Sequence, residues 1–368
     1  MTAKTLPLRL QVWYATKRAA LYGVLAIGAI MVTFPFAWMV LTSFKTYGEA
    51  IAAPPVFIPQ AFSARAQIIG HMLASQPSLI VALIVWAGLG AYIGWRLRKG
   101  WWGALYWTVH MLLFLAAWKV GLFGRALQWD ALWAQSRSAL GHDALPSFWS
   151  NYVEAWNRAP FGRYFINSAI MSMATPLLVL ATSAPAAYAF ARLRFPGRDA
   201  IFMLFLATMM IPEEVILIPN FITVSRLQWI DKYQALILPW IVNVVTIFFL
   251  RQFFRSIPDD LHDAAVLDGC GHLRFLWSIA LPLSVPALVS TSLFNFLGSW
   301  NAVQWPLYVT NNPNMRPLMV GMKYFSDEAG MSVHLHNAAA TFTTVPIIIL
   351  FLLVQRKFIE GIARTGLK

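Results

Sequence analysis

The chain has 368 residues, of which 59% are hydrophobic and only 12% charged, against roughly 45–50% and about 25% in soluble domains, so it reads as an integral membrane protein. Its net charge of +13 does not point to nucleic acid, because Lys and Arg stand in short clusters at the ends of apolar runs, as the positive-inside rule expects. One cysteine, Cys270, excludes an intrachain disulfide and a cysteine-built metal cluster.

A helix needs about 20 mainly apolar residues to cross a bilayer. Eight stretches qualify, at about 19–44, 77–95, 101–123, 165–190, 200–222, 234–254, 277–298 and 337–355. Lys4, Arg9, Lys17 and Arg18 precede the first. It is longer than a signal peptide's apolar core and no small-residue cleavage site follows, so it reads as a retained span. Counting Lys and Arg on each side places both termini and the segment Ser256–Ser278 on the cytoplasmic face.

Residues 61–150 differ in texture: two spans flank the basic turn Arg96 to Gly100, with Trp86, Trp95, Trp101, Trp102 and Trp107 around them. Tryptophan favours the membrane interface. Two extra spans preserve the sidedness of everything after them, so this stretch reads as a hairpin inserted into a six-span core. His110 and Lys119 are ionisable groups in or near its second span, which marks them as candidates, although Lys119 can snorkel to the outer face. The domain reading is therefore 1–60, 61–150 and 151–368.

The span at 165–190 carries Asn167, Ser168, Thr175, Pro176 and Pro185. Prolines free carbonyls that neighbours must satisfy, which suits a packed helix and a pore-lining one equally. The next span holds MMIPEEVILIPNF, with Glu213 and Glu214 beyond the midplane beside a break at Pro212. A carboxylate facing lipid is costly, so Glu213 and Glu214 are expected to face a watery cavity or a partner. Being consecutive, they lie about 100° apart on a helix, so one would line the pathway and the other would pair with a basic group.

Between two apolar runs lies SIPDDLHDAAVLDGCGHLRFLWS, Ser256 to Ser278. Pro258 suits a first helical turn, Ser256 can cap it, and Asp259 and Asp260 place negative charge at the positive end of the helix dipole. Gly269 and Gly271 break the helix before a second short one. Two short helices at a glycine elbow suggest a knob shaped for a partner; a plain polar loop stays open. The seventh span ends in NFLGSWNAVQWPLYVTNN. Asn295, Asn301 and Gln304 offer hydrogen bonds and Trp300 and Trp305 offer flat faces, a mix that suits a sugar or an interfacial belt.

The chain has no GxxxxGK[ST] phosphate loop, HExxH or GxSxG. A secondary transporter would show internal repeats, and none is evident. An intramembrane enzyme would rest on Glu213 and Glu214 alone.

From Asn151 onward, and over FPFAWMVLTSFK and APPVFIPQ, the chain resembles the carbohydrate permeases of bacterial ABC importers, in particular the maltose-type G subunit. The landmarks are AYAFARLRFPGR, MIPEEVILIPNF, LRQFFRSIPDDLHDAAVLDG, LPLSVPAL, GSWNAVQWPL and QRKFIEGIARTGLK. The resemblance implies an all-α polytopic membrane protein, six core spans plus the inserted hairpin, in the bacterial inner membrane. It implies a second permease subunit, two ABC ATPase subunits that use ATP and Mg, and an extracytoplasmic sugar-binding protein. This chain would bind no cofactor and do no hydrolysis itself. The segment 256–278 would be the coupling helix, with Asp263, Ala264, Ala265, Asp268 and Gly269 at the ATPase contact. Asp263 stands where the family usually has Glu, and Cys270 where it has Ala. Leu307–His336 would face the binding protein, and the family offers no counterpart for 61–150.

Overall fold

A computed structural model describes residues 8–75, 129–141, 147–328 and 332–366. The expected spans at 77–95 and 101–123, with His110 and Lys119, lie outside the described residues. Among the described residues every regular element is helical. The chain divides into two compact units, Met1–Asn151 and Tyr152–Lys368.

In the first unit α1 (Leu8–Ser43) is followed by α2 (Tyr47–Ala50), α3 (Gln60–Ser75) and α4 (Trp129–Ala139). The part of α1 long and apolar enough to cross a membrane is Thr16–Ser43. Its apolar side chains are exposed on all sides, Leu21, Leu25, Ile30 and Phe34 among them. A helix apolar all round has no water-facing side, which suits a lipid or partner environment. At its end the chain turns sharply. Lys45 is buried with its ammonium 3.7 Å from the centre of the Trp38 ring, and burial lowers its pKa, partly offset by Glu49. Asn151 holds the turn by donating to the carbonyls of Ser43 and Lys45, both at 2.8 Å.

The second unit is built on α6 (Phe161–Arg192), which follows the short α5 (Ser150–Arg158). Helix α6 runs through Pro176 and Pro185, the kind of proline that helix neighbours accommodate inside a span. It packs against α10 (Val244–Ser256) and α13 (Val285–Trp300), and α13 packs against α16 (Val333–Gly366). Phe161–Arg192 and Val333–Gln355 are long and apolar enough to cross a membrane.

The other three expected spans are broken ones. The span expected at 200–222 with a break at Pro212 is α7 (Arg198–Thr208) and α8 (Glu213–Arg226), bent by 94°. The cause is Pro212, which sits extended at ψ 141° and biases the preceding residue away from helix. The second is α9 (Tyr233–Ile237), its 3₁₀ extension Leu238–Trp240 and α10, bent by 43°. Asn243 starts α10 by accepting from the Thr246 amide at 2.8 Å, as an N-cap does. Thr182 of α6 donates to the Ile241 carbonyl at 2.5 Å, closing one acceptor left open by the break. The third runs from His272 through a π turn to Leu283 and bends by 80° into α13 at Ser284. Counting each bent pair as one span gives up to six.

Three apolar clusters hold this unit. One, at the Arg192 end of α6, joins Tyr188, Phe190, Phe202, Leu250, Phe254 and Phe275. A second joins Phe161, Tyr164, Trp300, Leu318 and Phe325. The third joins Met171, Leu236, Trp305 and Val309. In the second, Gly321 of α15 (Leu318–Glu328) lies so close to Tyr164 that an added Cβ would stand 2.1 Å from its ring.

Candidate functional site

Two places in the second unit carry chemistry. The first is the polar segment after α10. Ile257 and Pro258 are extended, and α11 (Asp259–Leu267) begins directly after them. Ser256, expected as the cap, instead donates to the Phe253 carbonyl at 2.7 Å and so ends α10. Pro258 occupies the cap position, where it offers no side-chain acceptor. Asp259 and Asp260 do lie in the first turn, favourable for the helix dipole. The helix ends in a Schellman turn. Gly269 has φ +74°, its amide donates to Val266 and that of Cys270 to Ala265, each at 2.9 Å. Those two bonds across a left-handed residue are what the motif requires. Gly271 then leads into α12 (His272–Phe275).

This elbow is seated on the Arg192 cluster. Ala265 and Phe275 are buried in it, the Phe275 ring is 5.0 Å from His262, and Tyr188 Oη lies 3.3 Å from His272 Nδ1. Arg192, at the end of α6, is the tie. Its Nε donates to the Phe254 carbonyl at 3.1 Å and its Nη2 to the same oxygen at 2.9 Å. Nη2 also donates to Ile257 and Nη1 to Asp259. One guanidinium fork thus joins the end of α6, the end of α10 and the start of α11, which a single ammonium could not do. Arg251 makes a parallel tie, donating to the Phe190 carbonyl at 3.1 Å and pairing with Asp199 at 3.3 Å.

On the outer side of the elbow, Asp263, Ala264, Asp268 and Gly269 are exposed. The same segment exposes large apolar side chains: Leu267 is 89% exposed, Leu273 74% and Trp277 66%. Of the expected coupling residues only Ala265 faces inward.

The second place is a cavity of about 730 Å³ bounded by α6, α8, α9, α10, α13 and α14 (Gln304–Val309). Its polar lining comprises Thr175, Glu213, Asn243, Thr246, Thr291, Asn295, Ser299 and Gln304; Trp240, Phe249, Phe294 and Trp305 supply aromatic surface. Asn295 donates to Thr246 Oγ1 at 3.0 Å and to the Thr291 carbonyl at 2.8 Å. Trp305 donates to the Ala235 carbonyl at 2.8 Å, and its ring meets Trp240 edge-on at 5.9 Å. Thr175 is 4% exposed and its hydroxyl has no partner among the described residues.

The cavity therefore gathers Glu213, Asn295, Gln304 and Trp305 from the residues the sequence singled out. Glu214, Trp300 and Asn301 do not line it. Glu214 makes no ion pair among the described residues, contrary to expectation. Both glutamates begin α8, where their charge meets the helix dipole. Trp300 is a core residue stacked on Phe296, with centroids 5.7 Å apart, and Asn301 closes the end of α13 by donating to Leu297. Trp240, Asn243 and Thr175 were not singled out for the cavity. The signal for Trp240 was its place beside Asn243, just after Pro239, in a run that cannot stay regular helix.

Comparison with known proteins fits this arrangement. Residues 157–363 match the family described as binding-protein-dependent transport system inner membrane component. The sn-glycerol-3-phosphate transport system permease protein UgpE of Yersinia enterocolitica is 34% identical over 225 residues, which is 59% of this chain and 80% of that one. The arabinooligosaccharides transport system permease protein AraQ of Bacillus subtilis is 35% identical over 219 residues, 59% of this chain and 78% of that one. A chain in the crystal structure of a bacterial ABC transporter involved in the import of the acidic polysaccharide alginate superimposes with a TM-score of 0.63. It covers 96% of this chain and 99% of its own at 18% identity, a likeness of fold. With the family match spanning more than half its length and the broken spans, elbow and cavity all inside the matched region, the chain belongs to the binding-protein-dependent transport system inner membrane components.

Proposed function

We propose that the chain is the permease subunit of an ATP-driven importer of a sugar, a di- or oligosaccharide, with a related polyol or sugar phosphate as the alternative cargo. The observation that carries the reading is the elbow Asp259–Phe275. It exposes Leu267 and Leu273, with Trp277 just after it, while a largely buried Arg192 fork holds it to two spans. Exposed apolar surface rimmed by charge marks a protein contact, and the fork gives that contact a rigid connection to the transmembrane helices. The partners are two ABC ATPase subunits at the elbow, a second permease chain and an extracytoplasmic binding protein. ATP and Mg act in the ATPase, and the chain has no phosphate loop of its own. The clustering of Lys and Arg supports an orientation with the elbow and both termini in the cytoplasm.

ATP biases the assembly by binding one state better than the other, since a ligand shifts an equilibrium only by its differential affinity. Closure of the ATPase pair would push on the elbow, and Arg192 would pass the movement to α6 and α10, two walls of the cavity. Cargo handed over outside would meet the Asn295–Thr246 side and the Trp240–Trp305 pair. The test is affinity purification of the tagged chain after expression with its neighbouring subunits, followed by ATP hydrolysis in proteoliposomes. Co-purification of an ATPase whose turnover rises with a sugar and the binding protein is expected. A chain that purifies without any ATPase and moves solute unaided would refute the proposal.

A further inference from the structure

We infer that the cavity is built for an uncharged polyhydroxylated cargo and discriminates against anions, an inference that rests on the importer reading above. The chain carries a net charge of +13, yet no Lys, Arg or His lines the cavity among the described residues. Its one ionisable wall residue among the described residues is Glu213, the first residue of α8 after the 94° break. Every other polar group there is neutral.

What these groups can do is specific. A sugar hydroxyl both donates and accepts, and it needs partners of both kinds when it leaves water. The Glu213 carboxylate accepts. The Asn243 oxygen is already engaged by the Thr246 amide, which leaves its Nδ2 as a donor. The Ser299 hydroxyl and the Gln304 amide on the same wall can do either. Trp305 is fixed by its bond to Ala235 and holds Trp240 edge-on, so an indole face is available for the C–H side of a pyranose or furanose ring. A phosphate or carboxylate would find the same hydroxyl partners, but it would approach Glu213 with no counter-charge on this wall. Glu213 is exposed, so water screens it in part, and like charges a few ångströms apart there cost on the order of tenfold in affinity. The anionic cargoes in the names of two similar transporters therefore do not carry over to this chain.

The test uses the complete importer in proteoliposomes with its binding protein. The probes are maltose, cellobiose and arabinobiose, the corresponding uronic-acid disaccharides, and glycerol 3-phosphate; uptake and stimulated ATP hydrolysis are both read. A neutral disaccharide is expected to be moved, with uronates at least tenfold poorer as substrates or competitors. Glu213→Lys should narrow that ratio at least tenfold, and the isosteric Glu213→Gln should narrow it less, in the same direction. Preferred uptake of a uronate or of glycerol 3-phosphate by the wild type overturns the inference, as does a ratio unmoved by both variants. Those results leave the importer reading intact, whereas absence of any ATPase from the complex sinks that reading itself.

Discussion

Replacing Gly269 separates the shape of the elbow from its chemistry. The residue sits at φ +74°, and a Cβ there would meet nothing within 4 Å, so the effect of a side chain is purely conformational. Alanine in the left-handed region costs about 1–2 kcal/mol, while asparagine is tolerated there and should cost less. Proline fixes φ near −65° and removes an N–H. It therefore cannot adopt the turn, and it deletes the 2.9 Å bond to Val266 as well. The nine-residue α11 is too short to persist alone in water, so losing its C-terminal turn frees it to fray. A loss of 1–2 kcal/mol multiplies the misfolded fraction of the elbow about 5–30-fold. The assay is ATP hydrolysed per substrate imported in proteoliposomes, with ATPase co-purification measured on the same preparations. Coupling should fall in the order Gly, Asn, Ala, Pro, and Gly269→Pro should abolish ATP-driven uptake while the chain still enters the membrane. Wild-type transport by an assembled Gly269→Pro complex would refute the assignment of the elbow as the coupling contact.

Three further outcomes follow from the packing. Arg192→Leu removes the donors to Phe254 and Ile257, a cost of about 1–3 kcal/mol if those carbonyls stay dry; ATP hydrolysis should persist while uptake per ATP drops, and unchanged coupling would count against the fork as the connection. Gly321→Ala drives a methyl into the Tyr164 ring, which overpacks the site by about 1–3 kcal/mol and should lower the thermal unfolding temperature in detergent; an unshifted transition would contradict it. Trp240→Ala should raise the apparent KM for uptake with little change in thermal stability, and Trp300→Ala should do the reverse. The opposite pattern would mean that the two tryptophans have been assigned the wrong way round.

The core spans were legible from hydropathy because a helix in lipid must be apolar over its whole length, and α6 and α16 fall close to where the pattern put them. The elbow was legible too, since Asp259, Asp260 and Gly269 each satisfy a local rule of helix ends. The break at Pro212 was legible, but the other two were not. Pro176, Pro185, Pro219 and Pro346 all lie inside helices, while Pro212 stands at the start of one, and the difference rests on neighbours that sequence spacing does not reveal. The same limit applies to the cavity. Trp300 and Trp305 are five residues apart, but the end of α13 falls between them, so one turns into the core and the other lines the cavity. Glu213 and Glu214 were separable in principle by the helical step, but which one faces inward depends on the 94° break.

The 80° bend at Ser284 makes α13 an arm with its pivot at one end. Sixteen residues at 1.5 Å each give it a reach of about 24 Å. A rotation of about 10° at the pivot would carry Trp300 about 4 Å and Asn295, ten residues along, about 3 Å. The Asn295–Thr246 bond is 3.0 Å long. The bend thus acts as a lever: a change of about 10° in one backbone angle at Ser284 matches, at the cavity wall, the whole length of a polar contact.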